Sequence, residues 1–78
     1  MRYELWDLTT RNVTSFFPTE AEALAAVRAA VERHGRAYAE TFALIREDAR
    51  GGSKTIARGT ELIERAFRVA HASGRIPA

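Results

Sequence analysis

The segment Phe17-Pro18-Thr19-Glu20-Ala21-Glu22 divides the first half of the chain into two kinds of structure. Pro18 has no backbone N–H for a strand ladder, so a paired strand must end before it. Thr19 followed three residues later by Glu22 is a T-x-x-E capping box, in which each side chain serves the backbone of the other. A strand therefore stops at about residue 17 and a helix starts at about residue 20. From Glu20 to His34 nearly every residue is a good helix former, and Gly35 stands where a positive-φ residue closes a last turn. Leu24, Val27 and Val31 form the apolar stripe of this helix, widened by Ala23, Ala30 and His34.

Upstream of the capping box, residues 2–8 alternate, with Tyr3, Leu5 and Asp7 on one face and Glu4, Trp6 and Leu8 on the other. Thr9-Thr10-Arg11-Asn12 is a polar break, and residues 13–17 resume with Val13, Ser15 and Phe17 opposite Thr14 and Phe16. This pattern predicts a β-hairpin. Downstream, a third strand is read over about residues 38–46, with Phe42 and Leu44 on one face and Ala43 and Ile45 on the other. Glu47 to Gly52 forms a turn, residues 53–57 a fourth strand, and a second helix runs over about residues 60–72 with Thr60 as its N-cap. On that helix, Glu61 with Arg65 and Glu64 with Arg68 stand four apart, acid before base.

The expected fold is α+β, a single domain over residues 1–78. It has a four-stranded antiparallel β-β-α-β-β sheet in the order 2-1-3-4, one helix on a face, and a C-terminal helix. A chain of 78 residues has a thin core and no cysteine to staple it, which makes a second subunit a natural source of stability. If the first helix covers one sheet face, the other needs the C-terminal helix or a partner to cover it.

Phe17-Pro18-Thr19-Glu20-Ala21-Glu22-Ala23-Leu24, Arg46-Glu47-Asp48 and Gly59-Thr60-Glu61-Leu62 together resemble small uncharacterised bacterial ββαββ proteins. The likeness spans roughly residues 3–67. Its motifs are caps and core positions, so it implies a fold and no activity.

Charge and motif content narrow the function classes. Twelve basic against ten acidic residues leave a net charge of only +2, although the sequence pI is near 9.7. Nearly all the basic residues are arginines, which lift the pI without creating a strong field. The N-terminal MRYELWDL carries charges where a signal peptide is apolar, and no apolar run approaches the length of a bilayer span. A cytoplasmic location without membrane contact is the expectation.

His34 and His71 each close a helix, with no histidine or carboxylate at i+3 or i+4, so no metal site is expected and C-terminal capping explains both. Gly51-Gly52-Ser53-Lys54-Thr55 lacks the glycine spacing of a phosphate loop and precedes a strand. The adjacent Glu47 and Asp48 sit at a turn with no apolar pocket to tune them. No cofactor and no enzymatic activity are expected.

Two surface readings remain. The first is a self-associating protein-interaction module, a homodimer or a complex with another protein, through Trp6, Leu8, Phe16, Leu62, Ile63, Ala66, Phe67 and Ala70. The periodicity of the last five fits packing on the chain's own sheet equally well. The second is a DNA-binding or antitoxin-like regulator whose basic second hairpin presents Arg46, Arg50, Lys54 and Arg58 to nucleic acid. Against that reading, Glu47 and Asp48 interrupt the patch and no aromatic residue is interleaved for base stacking.

Overall fold

A computed structural model describes residues 2–74, with side chains as far as Arg68. Seven elements follow one another: β1 Arg2–Asp7, β2 Asn12–Phe17, α1 Glu20–His34, α2 Arg36–Ala39, β3 Phe42–Glu47, β4 Ser53–Arg58 and α3 Gly59–Gly74. The strands make one antiparallel sheet in the order β2-β1-β3-β4, as the sequence predicts.

Local chemistry explains the element ends. Thr19 is extended, and its Oγ1 accepts from the Glu22 N–H at 3.1 Å. The reciprocal half of the capping box differs from expectation: the Glu22 carboxylate accepts from the Thr19 hydroxyl at 3.1 Å, not from the Thr19 backbone. At the other end of α1, Gly35 has φ 94° and its N–H donates to the Val31 carbonyl at 2.7 Å.

The chain then departs from the sequence reading. Residues 36–39 form the single turn α2, and the third strand begins at Phe42 and not near residue 38. Arg36, Ala37 and Ala39 favour helix, and fully buried Ala39 ties the turn to the core, so only Phe42 onward carries the strand pattern. The last helix starts at Gly59, one residue before the expected Thr60 cap. Gly59 takes φ 61°, and a Cβ there would sit 3.4 Å from the Glu40 carbonyl oxygen.

Two bulges re-phase the edge strands. Leu5 faces Ser15 while Trp6 faces Val13, leaving Thr14 as the extra residue, and its hydroxyl donates to the Leu5 carbonyl at 3.0 Å. Val13 is thereby moved from the face of Ser15 and Phe17 to the face of Trp6, against the simple alternation. In β4 the extra residue is Ile56, between the pairs Leu44 with Ala57 and Ile45 with Thr55.

Both long helices pack on the same side of the sheet. Leu24, Val27 and Val31 of α1 share one cluster with Leu62, Ile63 and Ala66 of α3 and with the sheet residues Tyr3, Leu5, Phe42, Leu44 and Ala57. The expected Glu61–Arg65 pair is replaced by an interhelical one, Arg65 Nε to Glu20 Oε2 at 2.8 Å. The Arg28 guanidinium lies 5.2 Å from the centroid of the Phe67 ring. No helix among the described residues is long and apolar enough to cross a membrane.

Candidate interaction surface on the open sheet face

Because α1 and α3 lie side by side on one face, the other face has no cover within the described residues. Alternation and register define what it presents. Arg2, Glu4 and Trp6 of β1 stand beside Phe16 and Val13 of β2 and beside Glu47, Ile45 and Ala43 of β3. Thr55 and Arg58 of β4 continue the row. Phe16 is 55% exposed and Leu8, just past the end of β1, is 42% exposed.

A polar lattice holds these side chains in place. Glu4 is only 9% exposed although it belongs to the uncovered face. Its Oε1 accepts from the Trp6 indole N–H at 3.0 Å, and its Oε2 lies 3.4 Å from the Arg2 guanidinium. Arg2 also pairs with Glu47 at 3.0 Å and places its guanidinium carbon 4.4 Å from the centroid of the Phe16 ring. One arginine thus bridges two carboxylates and stacks on the Phe16 ring, while Glu4 orients the Trp6 indole, so contacts within the chain hold both rings. Ala43 is 2% exposed, lying in the sheet directly between Trp6 and Arg58.

The residues singled out from the sequence are distributed unevenly. Trp6, Leu8 and Phe16 lie at this open face or its edge. Leu62, Ile63 and Ala66 are fully buried in the chain's own core, where no second chain can reach them without unfolding the helix layer. Phe67 is half-buried against that core, and Ala70 lies outside the residues whose side chains are described. Arg2, Glu4 and Glu47 are members of this face that the sequence reading does not single out. The alternation of residues 2–8 held a signal for Glu4, which it places on the face of Trp6.

The four cations of the second hairpin do not form one patch. Arg46 and Lys54 are cross-strand partners on the side of Leu44 and Ala57, facing the helix layer, whereas Arg58 is opposite Ala43 on the open face. Arg50 sits in the turn, where its N–H donates to Asp48 Oδ1 at 2.9 Å. The same carboxylate accepts from the Gly52 N–H at 2.9 Å, and the Asp48 N–H donates to the Gly52 carbonyl at 2.9 Å, so Asp48 closes the turn. Glu47 is occupied by Arg2. His34, read as widening the apolar stripe of α1, is exposed and packs against the Tyr38 ring at 4.5 Å between centroids.

Compared with protein-family models, curated proteins and solved structures, the chain matches none.

Proposed function

We propose that this chain is a non-enzymatic interaction module that pairs with a second copy of itself through the open face of the sheet. The observation that carries the reading is the exposure of Phe16, beside Trp6, Val13 and Ile45, on a sheet whose two helices both lie on the opposite side. Strands of six residues at about 3.3 Å each, set about 4.8 Å apart, give a face about 20 Å on each side. Two such faces, with rings standing off them, approach the roughly 1,000 Å² that a specific interface needs.

The charges on the face also suit self-pairing. Arg2 and Arg58 balance Glu4 and Glu47, so a copy of the face meets no net repulsion, and a two-fold contact can set acid against base twice. Phe16 and Trp6 are the anchors, since aromatic rings already held in one orientation lose little entropy on docking.

Sedimentation or light scattering over a concentration series tests the proposal. The wild-type chain is expected to pass from monomer to dimer by high micromolar concentration, and Phe16→Asp to remain monomeric with an unchanged circular dichroism spectrum. A wild-type chain that stays strictly monomeric over that range sinks it.

A further inference from the structure

The helix-bearing side of the sheet is filled unevenly. Leu44, Leu62 and Ile63, each fully buried, pack it over β3 and β4. Val27 and Val31 of α1 are buried in the core, but beside them the helix lines a cleft over β1 and β2 with Ala26, Ala29 and Ala30, and Ser15 stands on the strand below. Small residues facing a small residue leave a cleft of about 400 Å³, within the size range of small-molecule sites. Leu5 and Phe42, each 5% exposed, contribute its apolar lining. His34, Tyr38 and Phe42 form an aromatic ladder along it, with centroids 4.5 Å and 5.3 Å apart.

Two opposite charges line the same cleft. Asp7 uses Oδ1 to accept the Thr9 N–H at 2.9 Å and makes no ion pair among the described residues. Arg33, in the last turn of α1, also lines the cleft and has no ion-pair or hydrogen-bond partner among the described residues. An anion entering here meets Asp7 and a cation meets Arg33; a molecule carrying both charges satisfies both.

We infer that this cleft binds a small zwitterion with an apolar body, the chemical class of a free hydrophobic amino acid. The ammonium group pairs with Asp7, the carboxylate with Arg33, and the side chain lies against Leu5, Ala30 and Phe42. The cleft is on the side of the sheet away from Trp6 and Phe16, so this inference stands or falls independently of self-association.

Amide chemical-shift titrations of the full chain with L-phenylalanine, phenethylamine and 3-phenylpropionate test it, and each spectrum also reports whether the variant is folded. L-phenylalanine is expected to shift the amides of Leu5, Ala26, Ala30 and Phe42, and to bind about tenfold more weakly to Asp7→Asn and to Arg33→Gln, since each loses one charge-assisted contact. Phenethylamine is expected to respond to Asp7→Asn alone and 3-phenylpropionate to Arg33→Gln alone. Ala26→Leu, which fills the cleft, is expected to abolish the shifts. The inference is overturned if millimolar L-phenylalanine leaves the cleft amides of the wild-type chain unmoved, if Ala26→Leu retains the shifts, or if the two half-ligands respond alike to both charge variants.

Discussion

At the scale of single residues, conformation is settled by a few backbone positions that sequence marks plainly and by others that it does not mark. Gly59 is of the first kind: it takes φ 61°, and its missing Cβ leaves room for the Glu40 carbonyl. Alanine there must adopt a left-handed conformation costing about 1–2 kcal/mol, with its Cβ in contact with the Glu40 carbonyl oxygen. Gly59→Ala is therefore expected to lower stability by about that amount in denaturant unfolding. An unchanged midpoint would mean that β4 passes into α3 through some other backbone path. Arg11 is of the second kind, a non-glycine residue at φ 60° in the first hairpin turn, whose sequence points to Asn12 as the turn residue. Arg11→Gly removes that strain and is expected to raise the unfolding midpoint, by at most about 1 kcal/mol of stability because glycine also loosens the unfolded chain.

At the scale of elements, the capping box, the alternation of β1 and the break at Gly59 lie within a few residues of the structure they specify. Those elements were legible in the sequence for that reason. The single turn α2 was not, because Phe42 to Ile45 carries a strand signal that extends naturally backward over Tyr38 and Ala39. The last helix shows the limit most clearly. The stripe Leu62, Ile63, Ala66 and Phe67 is equally good for packing inward or outward, and only its contacts with α1 and with the sheet make it core. Leu62→Ala then removes a fully buried side chain and is expected to cost about 2–5 kcal/mol. Urea unfolding at low protein concentration reads this directly. A loss seen only at concentrations where chains associate would mean that the helix docks on a second chain.

At the scale of the whole molecule, the placement of both helices on one sheet face leaves the opposite face uncovered among the described residues. The proposed self-association through the other face would bring Trp6 out of water, so iodide quenching of its fluorescence is expected to fall as wild-type concentration rises and to stay constant in Phe16→Asp. Quenching that is independent of concentration in a chain shown to dimerise would move the interface elsewhere. The sequence by itself determined the elements around the Thr19 cap, the hairpins, the strand order and the charge balance, because those follow from propensities, turn residues and short-range chirality. The tertiary structure alone decided which face stays open, that Arg65 pairs with Glu20 across the helices, and that the bulge at Thr14 turns Val13 toward Trp6. These outcomes depend on contacts between segments far apart along the chain, as in the 45 residues separating Glu20 from Arg65, and local periodicity holds no record of them.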